Sequence, residues 1–313
     1  MALFSRKRPT PPGLQPWPGP PSTPQYQRLV AGGQTAAAAD HLRHATAEDR
    51  FDLLWNFSDD LRFDDLRSLL DMSPDDALLH SMAAVCAMKT AWKIRTGAQA
   101  EYVSRAQFSG FHAWLAGSEE HAQEAVRLDP SDVGPHVTLL TSGRGLQLEV
   151  PELRRRYEAG LVCSPHHLEL HRQMLQGLCA KWGGSNQAML AFARSVAEAA
   201  PDESGLAELV ATAHVECWLE ADGAATYWHG PGIAQELRDA AARLGSDVPP
   251  HRNQVTGRNM LALAWWKSGD KAAFEEAVAA MGGMVTTWPW EMWPRLGPPV
   301  DVVRYAWQKL HAA

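Results

Sequence analysis

The chain has 313 residues, 45% of them hydrophobic and 21% charged, with a formal charge of −7. That is the balance of a folded soluble domain, and it lacks the basic face of a general nucleic-acid binder. No apolar run approaches the roughly 18 residues of a membrane span, and the charged start runs into prolines, which excludes a secretory leader pattern. The four cysteines, Cys86, Cys163, Cys179 and Cys217, are scattered and form no C-x-x-C. They read as reduced, buried thiols of a cytoplasmic protein, with no zinc knuckle and no cofactor motif.

In chain order, residues 1–24 hold eight prolines and predict an extended, disordered Pro-rich tail that folding does not need. Trp17, between Pro16 and Pro18, reads first as a loosely packed aromatic of a flexible tail and otherwise as a residue that docks on the body or on a partner. A single helical domain is predicted over 25–313. Thr46, followed by Glu48 and Asp49, reads as an N-cap with acidic first-turn residues, and Phe51, Leu53, Leu54 and Phe57 continue at helical spacing. A short helix is predicted over 60–72 and a long one over 75–95. A break or inserted loop follows near 96–104, and then two helices over 105–128, split near Gly117-Ser118. Further helices are predicted over 204–221 and from Ile233 to Leu244, the latter closed by Val248-Pro249-Pro250. The scarcity of β-branched residues, with only Ile94 and Ile233 as isoleucines, favours helix throughout.

The organising signal is a recurring stop. Leu70-Asp71-Met72-Ser73-Pro74, Leu128-Asp129-Pro130, Cys163-Ser164-Pro165 and Ala199-Ala200-Pro201 each end a helical run. The last three prolines are 35 and 36 residues apart, close to the ~34-residue period of tetratricopeptide repeats. The stretch Asn259 to Asp270, followed by Lys271 to Val278, resembles such a repeat. Ala262 falls at the close-approach position, Trp265 at the large aromatic one and Gly269-Asp270 at the turn. Tyr157, Gly160 and Ala125 match in part. Lys181-Trp182-Gly183-Gly184-Ser185, with Met189 and Phe192-Ala193-Arg194, resembles a segment of uncharacterised bacterial helical-repeat proteins, a family that implies a fold and no activity. The resemblance implies an all-α chain, an α-solenoid of tetratricopeptide-like hairpins.

It also implies a concave groove lined by the first helix of each hairpin, which takes a protein or peptide partner. Carried over position by position, that groove would hold Arg172, Gln176, Glu208, Thr212, Asn259, Trp266 and Lys267. The alternative is an enzyme or metal protein that uses His167 and His171, four residues apart on one helix face, and Cys163. The Lys181–Ser185 turn reads first as a helix C-cap with Trp182 wedged between hairpins and Ser185 capping the next helix. Its other reading is a loop that meets a ligand through Trp182 and Lys181. The Trp288–Trp293 run reads as a cover for the end of the array or, in a homo-oligomer, as the interface. Val302, Val303, Tyr305, Ala306 and Leu310 predict a terminal amphipathic helix. No nucleophile motif is present, so no catalytic set is named.

Overall fold

The computed structural model describes residue 11 and residues 13–97, 100–202, 204–245 and 252–312. The expected tail residues 1–10 and 12, and the Val248-Pro249-Pro250 stop, lie outside them. Fifteen α-helices and one pair of two-residue strands make up the regular structure of the described residues, so the chain is all-helical. None of those helices is long and apolar enough to cross a membrane. The chain divides into two compact units. One runs from Pro18 to Gly184. The other joins the segment ending at Trp17 to the chain from Ser185 onward.

In the first unit the helices are α1 (Thr23–Ala31), α2 (Thr35–His44), α3 (Ala47–Asn56), α4 (Phe63–Met72), α5 (Ala77–Arg95), α6 (Arg105–Leu128), α7 (Val133–Gly145), α8 (Val150–Cys163) and α9 (Leu168–Gly177). Pro74, Pro130 and Pro165 all fall in the junctions between them, as the sequence predicts. Side chains finish the free N–H groups at the helix starts. Thr46 accepts from Asp49 N–H, Asp76 from Leu79 N–H, and Ser104 and Gln107 cap each other's backbone.

The long helices α5 and α6 are the principal pair, and α5 is buried on every side from Leu78 to Met88 save His80. The predicted split near Gly117-Ser118 does not occur. Ser118 is buried and donates to Ala84 C=O of α5 at 2.8 Å, which ties the middle of α6 down as continuous helix. Farther on, Gly160 lets α8 approach its neighbours: a Cβ there would stand 2.7 Å from Leu170 and 3.2 Å from His136.

The second unit holds α10 (Asn186–Ala199), α11 (Glu208–Glu220), α12 (Ile233–Leu244), α13 (Arg252–Ser268), α14 (Lys271–Ala280) and α15 (Pro299–Ala312). Ser185 caps α10 through Ala188 N–H, and Asp270 caps α14 through Ala273 N–H, both at 3.1 Å. Pro201 again lies in a junction. α11 and α13 are sheathed by the others: Glu208 to Trp218 and Gly257 to Trp265 are buried without interruption. Ala262 is fully buried and Trp265 almost so, which leaves Trp266 at the edge of the packing.

The Trp-rich segment is anchored from within. Trp290 is fully buried and its indole N–H donates to Asn259 Oδ1 at 2.7 Å. β1 (Gln15–Pro16) runs parallel to β2 (Met284–Val285), with Gln15 N–H bonded to Gly283 C=O and Trp17 N–H to Val285 C=O. Residues 13–24 fall within the tail that the prolines predict. Their first part supplies a strand, and Thr23 begins α1. Proline lacks a donor, but Gln15 and Trp17 flank Pro16 and supply the two N–H groups the strand needs.

Candidate functional site

The Pro18–Gly184 unit holds a cavity of about 1000 Å³. Its apolar wall is aromatic. Trp92 comes from the last turn of α5, Phe108 and Phe111 from the first turns of α6, and Trp182 from the short turn over Ala180–Trp182. Trp92 meets Phe111 edge-on at 5.0 Å and Trp182 edge-on at 5.7 Å. Aromatic pairs favour such geometry, so the wall is preformed.

Two guanidinium groups lie over the same indoles. Arg144, near the end of α7, is 5.2 Å from Trp92 and 5.5 Å from Trp182. Arg95, at the end of α5, is 5.8 and 5.6 Å from the same rings. Stacking of this kind holds an arginine in place; Arg95 also donates to Thr96 C=O and Arg144 to Gln173 Oε1. Lys181 adds a third positive charge and Glu149 the one negative, so three basic groups face one acidic group on a chain of charge −7. Gln147 and Gln176 supply amides. The indole N–H of Trp92 is buried with no hydrogen-bond partner among the described residues.

The backbone at the rim is unusual. Thr96 and Gln147 have φ of 64° and 59°, two of the three non-glycine residues with positive φ among those described. For the β-branched Thr96 this is a costly conformation, of a kind that concentrates at binding sites.

The seven residues expected along one groove fall in both units. Gln176 lines the cavity. Arg172 does not, but a chain of polar bonds links it there. It donates to Glu169, Gln173 donates to the other oxygen of that carboxylate, and Arg144 donates to Gln173 at 2.9 Å. Glu208, Thr212 and Asn259 are buried, which corrects their expected place on an open face.

Their burial has a local cause in each case. Glu208 lies where α11 meets α13 at Gly257, and Thr212 is enclosed in the same helix. Asn259 is spent inside the fold. It donates to Val255 C=O and Met284 C=O and accepts from Thr286 N–H and Trp290. Trp266 and Lys267 are partly exposed and gather with Trp218 and Trp293.

The histidine pair is also committed to the fold. His167 Nδ1 accepts from Leu170 N–H as the N-cap of α9, and burial holds its pKa down at about 4. His171 Nδ1 lies 3.0 Å from His167 C=O, and Cys163 Sγ donates to Pro130 C=O. No group of three His, Cys, Asp or Glu among the described residues is placed to hold a metal ion.

A second concavity, of about 550 Å³, carries Asp75, Asp76, Asp129 and Asp132. Asp76 and Asp132 cap helices there, Asp129 closes its turn through Ser131, and Arg43 and Arg127 pair with Asp76 and Asp75. Helix starts therefore explain that cluster.

Sequence reasoning gave first place to the cap reading of Lys181–Ser185 and passed over Trp92, Arg95 and Arg144. The signal for them was the run of Trp and Arg at two helix C-termini. Nothing in their spacing, about 50 residues apart, says that they meet. No family model matches the chain, and no curated protein matches it.

Proposed function

We propose that this protein is a cytoplasmic interaction module, a helical scaffold that holds an acidic peptide segment of a partner protein. The observation that carries the reading is the cavity in which Arg95 and Arg144 stack on Trp92 and Trp182. Aromatic and arginine side chains in one concave site are the usual composition of interface hot spots. The positive balance of the site on an acidic chain selects anionic partners and repels basic ones.

In this reading the hairpins are tetratricopeptide-like units of a solenoid. Prolines at the helix junctions, the close approach at Gly160, and the buried Ala262 and Trp265 support it. The binding surface differs from the inferred concave groove in its residues: Trp92, Arg95, Arg144, Lys181 and Trp182 replace Glu208, Thr212 and Asn259, while Gln176 stays.

The test is calorimetric titration of the full chain with a short Glu-rich peptide bearing one central Phe. Binding should weaken with added salt. It should fall about 30-fold, or ~2 kcal/mol, in Arg144→Ala and in Trp182→Ala. Trp266→Ala should leave it unchanged. No binding by the wild-type chain, or equal binding by the Arg144 variant, would refute the reading.

A further inference from the structure

Lys267 leaves the last turn of α13, and its ammonium lodges among three indoles. Nζ is 3.5 Å from the ring centroid of Trp266, 4.1 Å from that of Trp293 and 5.4 Å from that of Trp218. The rings come from three separate places in the chain: α13, the segment before Pro294, and α11. They stand as walls of a corner rather than as a parallel stack. Trp266 and Trp293 are 5.2 Å apart at 64°, and Trp218 and Trp293 are 6.5 Å apart at 31°. The walls are braced from behind. Trp218 is buried, and Trp266 is flanked by Trp290 and Tyr305, each at 6.3 Å. Cations at such distances from indole faces are held by the ring quadrupole.

The present occupant fits this corner imperfectly. Lys267 has no ion pair and no hydrogen bond among the described residues, and burial alone pulls its amine down to about 8. A primary ammonium carries three N–H donors, and indole faces answer its charge without offering a lone pair in the ordinary sense. Those donors are left to water at the open side of the corner. A quaternary ammonium carries the same charge, has no N–H to satisfy, and sets methyl groups against the rings. The corner thus suits that chemistry better than it suits lysine. It is also reachable: Trp266, Lys267 and Trp293 are each only partly buried, and the lysine stem has the freedom to swing away.

We propose that the Trp218–Trp266–Trp293 corner is a binding site for a quaternary ammonium group, with Lys267 as a tethered competitor that leaves when the ligand enters. The site belongs to the unit from Ser185 onward and does not rest on the peptide-binding reading of the cavity.

Tetramethylammonium chloride is the probe, titrated calorimetrically into the full chain against a sodium chloride blank of equal ionic strength. The wild-type chain binds it. Lys267→Ala binds it about tenfold more tightly, the gain expected when a competitor that fills the site about nine times in ten is removed. Trp293→Ala abolishes binding in either background while the circular dichroism spectrum is retained. Saturation transfer from aromatic protons of the wild-type chain to the probe's methyl protons reads the same contact with no substitution at all.

Equal affinity in the wild type and Lys267→Ala overturns the proposal, as does binding that survives Trp293→Ala. Binding confined to Lys267→Ala also overturns it, because the lysine is then a fixed strut. So does an absence of saturation transfer in the wild type.

Discussion

At the scale of the residue, side chains that look functional in the sequence prove to do structural work, and His167 is the clearest case. Its Nδ1 must carry a lone pair to accept Leu170 N–H, so capping and protonation of that nitrogen exclude one another. Its ring also stands edge-on to Phe51 at 4.3 Å. The folded pKa of about 4 lies below the ordinary value near 6.5. The unfolded chain therefore binds the proton more readily. The stabilisation is whole above about pH 6.5 and is lost as pH falls from there toward 4, at about 1.4 kcal/mol per pH unit. His136, His171 and His214 are shifted the same way by burial and steepen the slope. In His167→Asn, which keeps an N-cap side chain, the loss of stability between pH 7 and pH 4.5 should shrink by about 2 kcal/mol, read from urea midpoints. An unchanged slope would mean that His167 is protonated as easily in the fold as outside it.

At the scale of the element, one pair of glycines shows how helix packing and helix propensity separate. Gly145 ends α7 against α6. A Cβ there would stand 2.5 Å from Leu115 and 2.8 Å from the Phe111 ring. Both of those side chains are buried and Phe111 is part of the cavity wall, so neither has room to yield. Gly145→Ala should cost about 1–3 kcal/mol by overpacking and disturb the Trp92–Phe111 contact. Gly117 lies inside α6 with nothing within 4 Å of the added atom. Gly117→Ala should therefore stabilise by about 0.5–1 kcal/mol, the ordinary gain in helix propensity. Opposite signs in parallel guanidinium denaturations check both. The same comparison explains why the predicted split in α6 fails. A glycine in a helix is a weak breaker, and the buried Ser118 bond to α5 outweighs it.

At the scale of the whole molecule, the proline-rich start has a role that its composition conceals. The strand at Gln15–Pro16 adds backbone bonds of 2.9 and 2.8 Å to the segment around Met284–Val285. Gln15–Trp17 thus belong to the unit formed by the chain from Ser185 onward. Deleting residues 1–17 should remove about 1–2 kcal/mol and lower the melting temperature by roughly 2–6 °C in a chain of this size. The sequence reading predicts no loss for the whole tail, so a melting curve that does not move would restore it. The end of the N-terminal run enters the fold as well, because Thr23 is buried at the start of α1 and Tyr26 of that helix is bonded to Ser58.

The sequence by itself determined the local structure. Proline positions set the junctions after α4, α6, α8 and α10, and Thr46, Ser185 and Asp270 set helix starts. These are decided within a few residues, by sterics, caps and the 3.6-residue period. The Lys181–Ser185 turn was legible for the same reason as a cap or as a loop presenting Trp182 and Lys181, and the partners of Trp182 in the cavity wall were not. Only the tertiary structure decided which residues meet. Trp92, Arg95, Arg144 and Trp182 come together because α5, α6 and α7 pack, and Trp218, Trp266, Lys267 and Trp293 because α11 and α13 do. Such contacts join residues tens of positions apart, and a single sequence carries no spacing rule for them. The burial of Asn259 and Glu208 follows from the same cause. Their helices are enclosed on all sides, and no pattern of polar and apolar residues along α11 or α13 announces that enclosure.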